Sequence, residues 1–173
     1  ASNTAGGWRV HRADGGMVMD VRDGAIVAGG LSMPHSPRWH AGKLWLLQSG
    51  TAEFGYIDMA TGHFVSVCAL PGFARGLTFI GDYALVGLSE VRRNGVLSGL
   101  KADARIEAAG KDAGCQIVAI DIQTGQIVHR LRITGPVREL YDVLALPNLR
   151  RPMALGFKTD EVQRLIRPEI LDT

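Results

Sequence analysis

Five residues spread along this sequence carry side chains that could act together: His35, Ser36, Arg75, Arg138 and Glu139. A neutral imidazole and a carboxylate can ligate a metal or exchange protons, and a guanidinium fork matches a carboxylate or phosphate. No short motif unites them. His35 and Glu139 lie 104 residues apart, so only the fold can bring them together.

Three readings of this set stay open. In one, His35 and Glu139 are catalytic or metal-ligating residues that hold one divalent ion with groups from elsewhere. The ion activates water, and the assembly is a metal-dependent hydrolase or lyase acting on a small anionic substrate. In the second, Arg75 and Arg138 bind a small anionic ligand, with Ser36, Arg38, Glu90 and Arg92 around them. In the third, the face recognises a protein and does no chemistry. A ligand- or protein-recognition module is the favoured reading, because the polar set is incomplete on its own; whether the protein is an enzyme stays open, and no cofactor is assigned beyond that one metal ion. Ser49 and Ser89 have no His and Asp partners at a recognisable spacing, which argues against a serine triad.

The elements that must position these residues form a repeat. Residues 115–133, CQIVAIDIQTGQIVHRLRI, alternate β-branched and apolar residues on either side of a Thr-Gly break and read as a β-hairpin. Its DxxTG turn supplies an Asx acceptor at Asp121 and a residue free to take positive φ at Gly125. The turn recurs at Asp58 to Gly62 and, more loosely, at Asp20 to Gly24, where residues 8–10 and 17–31 give the first hairpin. A second kind of hairpin alternates with it: 37–39 with 43–48, 74–80 with 83–88, and 138–146 with 151–157.

Asp20 and Asp58 are 38 residues apart, and Asp58 and Asp121 are 63 apart, of which the 22 residues 92–113 read as an insertion. A period near ~40 with four strands per unit predicts an all-β fold made of β-propeller blades. A β-sandwich also strings short strands together, but it does not repeat one turn at a fixed interval. With strands lettered A to D from the centre outward, the chain runs C–D, A–B–C–D, A–B–C–D, A–B. That is about three blades, begun and ended in mid-blade, where a closed ring takes roughly four to eight. The ring is therefore expected to be completed by a missing N-terminal half, a partner chain or a second copy. The blades occupy 1–157, with 92–113 inserted between strands B and C of one blade, and 158–173 form a short C-terminal helix and tail.

In a propeller the innermost strands begin at the face where ligands bind. Aligning Gly42 with Gly81 sets Ser36 against Arg75 and Arg138, with His35 and Glu139 beside them at the channel mouth. The insertion belongs to the same face, and its helix-forming portion 100–109 can act as a lid. Glu90 and Arg92 stand at its root. Trp39, Trp45, Phe54, Tyr56, Phe79 and Tyr83 are expected to pack between blades, His40, His63 and His129 to face solvent, and Asp58 and Asp121 to cap their turns.

Composition narrows the partners. The 173 residues are 46% hydrophobic with a net charge of +2, and Arg and Lys are scattered rather than gathered on a stripe, which argues against nucleic acid. No apolar run approaches the ~20 residues of a spanning helix. Cys68 and Cys115 each sit in an apolar strand and read as buried free thiols, which suits a reducing, cytoplasmic location.

The strings GLSMPHSPRWHAGKLWLLQSGTAEFGYIDMATGHF, LPGFARGLTFIGDYALVGLS and RELYDVLALPNLRRPMALGF resemble the C-terminal half of a bacterial family of conserved hypothetical β-propellers of unknown function. The resemblance spans nearly the whole chain. It implies a propeller fold and a preceding half with further blades, and it brings no established activity.

Overall fold

The computed structural model describes residues 4–90, 99–110, 113–152 and 160. The chain is mostly β. Its strands are β1 (Gly16–Met19), β2 (Ile26–Leu31), β3 (Pro34–His40), β4 (Lys43–Gln48), β5 (Glu53–Ile57), β6 (Phe64–Ala69), β7 (Phe73–Ile80), β8 (Tyr83–Ser89), β9 (Gln116–Asp121) and β10 (Ile127–Arg132). One helix, α1 (Lys101–Ala109), lies between β8 and β9. Every strand pairing is antiparallel, and the strands form a two-stranded sheet β1–β2 and two four-stranded sheets, β3–β4–β5–β6 and β7–β8–β9–β10.

The DxxTG turns behave as one device used three times. The Asp20, Asp58 and Asp121 carboxylates accept from the N–H two residues on, at 2.9, 2.9 and 2.8 Å. Gly24, Gly62 and Gly125 then close each turn by donating to the Asp carbonyl, at 2.9, 2.8 and 2.8 Å. These glycines have φ between 70° and 74°, which a side chain would strain. Space forbids one as well at two of them. A Cβ on Gly62 would lie 2.9 Å from the Val27 carbonyl oxygen on β2, and one on Gly125 2.5 Å from that of Val67 on β6. These two turns therefore dock on the edge strands of the sheets before them, and Val27 and Val67 are 40 residues apart.

Strand β4 shows how the sheets stack. In KLWLLQ the last four residues are all buried, as in a strand covered on both faces. Trp45 and Leu47 join Phe54, Leu77, Val86, Leu88, Val118 and Ile120 in the main core. Leu46, pointing the other way, joins Ala28, Leu31 and Ile57 in a second cluster. The middle sheet is thus packed between the other two. Trp45 stacks on Phe54 with centroids 5.0 Å apart, and its Nε1 donates to the His40 carbonyl at 3.0 Å.

Several expectations need correction. Residues 8–10 are not a strand: Gly7–Arg9 is a 3-10 turn closed by local bonds, Arg9 N to Gly6 O at 3.1 Å and His11 N to Trp8 O at 3.1 Å. Residues 138–146 run without a strand, because Leu140 N donates to the Ser89 hydroxyl, 2.9 Å, rather than to a neighbouring ladder. Trp39 and Tyr83 are 65% and 46% exposed, so they do not pack between sheets. His40 is not simply solvated, since it stacks on Phe79 at 4.1 Å and its Nε2 lies 3.1 Å from the Gly81 carbonyl. The hairpin partner 151–157 falls mostly, and the helix 158–166 almost wholly, outside the described residues.

Helix α1 forms where the sequence predicts it, but it is not placed as a lid. Asp103 accepts from the N–H groups of Gly99 and Leu100, at 2.7 and 3.3 Å, which satisfies two otherwise orphaned donors. Ala102 N donates to Gly50 O at 3.0 Å, Arg105 reaches Ala52 O at 3.3 Å, and Leu100, Ala102 and Ile106 are buried in the main core. Helix α1, which falls between two strands of the third sheet in sequence, therefore braces the second.

Leu46 is fully buried between sheets, so Leu46→Ala should lower the free energy of unfolding by about 2–5 kcal/mol in a urea titration. Trp39→Ala on the exposed edge should cost less than about 0.5 kcal/mol. Equal costs at the two positions would contradict the stacking described here.

Candidate functional site

The site is built on an irregularity that β3 and β7 share. The register of β3 on β4 slips between His35 and Arg38, and that of β7 on β8 slips between Ala74 and Leu77. At the slip, Ser36 has φ 54° and Gly76 has φ 87°. These are two bulges at the same place in two hairpins, 40 residues apart. A bulge re-aims the side chain next to it, and here the re-aimed residues are His35 and Arg75.

This changes the expected alignment. The two-residue turns are 41–42 and 81–82, so Ser36 is equivalent to Gly76 and His35 to Arg75. The serines at the ends of β4 and β8 extend the relation. Ser49 Oγ donates to the Ala74 carbonyl, and Ser89 Oγ donates to that of Leu140 at 3.4 Å. Ala74 and Leu140 thus hold equivalent places, and the residue after Leu140, Tyr141, stands where Arg75 does. His35, Arg75 and Tyr141 form one row across three successive inner segments. Arg75 Nη2 lies 3.5 Å from His35 Nε2, and the Arg75 guanidinium lies over the Tyr141 ring, 5.2 Å from its centroid.

Ser36 holds this row together. A non-glycine residue at positive φ carries backbone strain, and its hydroxyl accepts from the buried Gly76 N–H at 2.9 Å. Gly76 has no room for a side chain: a Cβ there would come within 2.5 Å of Val143 N. Ser36 is therefore a clamp between β3 and β7, and it lines neither of the two cavities beside the row.

Two cavities flank the row. One, of about 170 Å³, is lined by His35, Arg75, Glu90 and Glu139 together with Trp8, Phe73 and Leu140 among others. The other, of about 250 Å³, is lined by Trp8, His11, Arg12, Met33, His35 and Arg75, with Pro34 and the Gly15–Gly16 backbone. Of the residues singled out from sequence, His35, Arg75, Glu90 and Glu139 thus meet at one cavity. The others stand apart. Arg138 forks onto Glu90, at 2.7 and 2.9 Å, and Arg38 pairs with Asp142 at 3.2 Å. Neither lines the cavities, because each guanidinium is turned to a surface carboxylate. Arg92 lies outside the described residues. No residue of α1 lines either cavity, which corrects the lid. Trp8 and Tyr141 escaped the sequence reading; the repeat of Ser49 at Ser89 is the signal that leads to Tyr141, and nothing local marks Trp8.

The charge at the centre is lopsided. Arg75 takes part in no ion pair among the described residues, and its contacts are a ring nitrogen and an aromatic face. Burial, and then the neighbouring Arg75 charge, push the His35 pKa below its usual 6.5. Its imidazole is neutral at pH 7. No group of three or more His, Cys, Asp or Glu placed to hold a metal occurs among the described residues. His35 faces a guanidinium, which disfavours a second cation at Nε2.

Two outcomes follow from this geometry. In an NMR titration the His35 ring should protonate below pH 6.5, and Arg75→Gln should move that titration upward. Because the unfolded chain takes up this proton at higher pH than the folded one, stability should fall as pH drops through ~6.5 toward the folded value, then level off. His35→Gln should remove that slope. Separately, Ser36→Ala leaves a buried N–H without its acceptor and should cost about 1–3 kcal/mol by denaturant unfolding.

No helix of the described residues is long and apolar enough to cross a membrane. No curated protein matches the chain. Residues 1–155 match the family described as Domain of unknown function (DUF4915). This polypeptide, with its repeated bulge and inward-facing arginine, belongs to that family.

Proposed function

We propose that the three sheets are successive blades of a β-propeller and that the cavities beside Arg75 bind a small anionic molecule. The observation that carries the binding reading is the Arg75 guanidinium. It is half-buried between His35 and Tyr141, lines both cavities, and has no carboxylate partner among the described residues. A carboxylate or phosphate group would supply the missing countercharge through paired N–H donors. Neutral His35 can add a hydrogen bond without competing for the anion. The reading is one of recognition, and it needs neither a metal nor a covalent step.

Support for blades comes from recurrence. The Val27–Gly62 and Val67–Gly125 contacts repeat at the outer strands, and the Ser49–Ala74 and Ser89–Leu140 bonds repeat at the inner ones. Units related twice by the same contacts, inside and out, suit a common axis. By its turn, β1–β2 is the outer half of such a unit: among the described residues β1 pairs only with β2, whereas β5 and β9 each have an inner neighbour. In this proposal a further strand pair of the same repeat adds at β1 and continues the ring. Cys68 and Cys115, both buried and unpaired, support a reducing compartment such as the cytoplasm.

Calorimetric titration with pyruvate and with inorganic phosphate tests the anion site. Arg75→Gln should weaken both by at least about tenfold, roughly 1.4 kcal/mol. Arg38→Gln should leave them within about threefold, since that side chain pairs with Asp142 and neither residue lines a cavity. Unchanged binding in Arg75→Gln, or no binding by the wild-type chain, would sink the proposal.

A further inference from the structure

The two cavities differ in charge, and the difference specifies the ligand more closely. The smaller one has Arg9 and Arg75 in its wall together with two carboxylate residues, Glu90 and Glu139. The larger one has Arg12, Arg75, His11 and His35 in its wall and no acidic residue. The positive charge is balanced by carboxylates in the first and left unbalanced in the second, so a doubly charged anion near Arg75 is favoured in the second. Two guanidinium side chains match two negative charges on one group, which favours a phosphate monoester over a single carboxylate.

The rest of the larger cavity fits a small organic body. Trp8, Met33 and Pro34 give it apolar wall, and its volume of about 250 Å³ holds more than a phosphate group alone. Backbone forms part of the wall at Gly15 and Gly16. A Cβ on Gly15 would lie 2.5 Å from the His11 Cβ, and one on Gly16 would strike the Pro34 ring and lie 2.6 Å from the Leu31 carbonyl. This close packing sets Arg12 next to the inner strands: its carbonyl accepts from Ser32 Oγ at 3.2 Å, and its Nη1 donates to the Arg9 carbonyl at 3.4 Å.

We infer that the larger cavity is a binding site for a small organic phosphate monoester, with Arg12 as the second recognition residue beside Arg75. This assignment rests on the anion reading above and adds to it the cavity, the charge state and the role of Arg12. Arg12 comes from the segment before β1, so the site joins that segment to β3 and β7.

The test is calorimetric titration of the full chain with glycerol 3-phosphate, glycerate and inorganic phosphate. Glycerol 3-phosphate should bind at least about tenfold more tightly than either of the others, because only it offers both the dianion and the organic body. Arg12→Gln, checked for native circular dichroism, should weaken glycerol 3-phosphate by at least about tenfold and leave glycerate within about threefold. Equal affinity for glycerol 3-phosphate and glycerate, or an Arg12→Gln chain that binds like the wild type, overturns the phosphate assignment while leaving an anion site at Arg75. Inorganic phosphate binding as tightly as glycerol 3-phosphate overturns the organic part. Binding of none of the three overturns this assignment and the anion reading together.

Discussion

The hydrogen bond from Gly76 N–H to the Ser36 hydroxyl ties β3 to β7 at the one point where both strands leave regular geometry. A strand that bulges gives up ladder pairing, and a buried N–H freed in this way must find another acceptor. Ser36 supplies it from the neighbouring sheet. On the other side of β7 the backbone of 142–143 approaches so closely that position 76 must lack a side chain, and Val143 fills the space over Gly76 and Gly87. The arrangement of His35, Arg75 and Tyr141 follows from that approach.

At the β2 and β6 edges, different chemistry solves the same problem of stacking sheets. There Gly62 and Gly125 of the two DxxTG turns each lie against a carbonyl of the preceding sheet's edge strand. Between inner and outer contacts lies the apolar filling, and β4 contributes to both clusters at once. Close backbone contact at both ends leaves little freedom for the sheets to shift relative to each other. A half-buried guanidinium can then be held in place without an ion pair of its own.

Much of this was legible in the sequence, because much of it is local. DxxTG encodes its own hydrogen bonds, and alternation in 115–133 encodes the strands that flank them. The four-strand grouping follows from the alternation of two hairpin types. The finer geometry was not legible. Gly42 is the second residue of its turn and Gly81 the first of its own, so counting from the two glycines misaligned the hairpins by one and set Ser36 against Arg75. Residues 138–146 have strand composition, but a strand needs a ladder partner, and Leu140 bonds to a side chain. Arg38 and Arg138 looked like ligand contacts from their position along the strand; the carboxylates of Asp142 and Glu90 that claim them are distant in sequence. Trp8 lies in a 3-10 turn, and no local pattern announces its place in the wall of both cavities.

The equivalence of His35, Arg75 and Tyr141 has a consequence for how such a scaffold can change. Backbone geometry, not side-chain identity, sets the direction in which each of these positions points. An imidazole, a guanidinium and a phenol therefore occupy interchangeable sockets, as three different letters might be set in identical slots of a printer's frame. Exchanging the letters would change the groups presented beside the cavities while the frame, held by serine hydroxyls and glycine carbonyl contacts elsewhere, stays as it is.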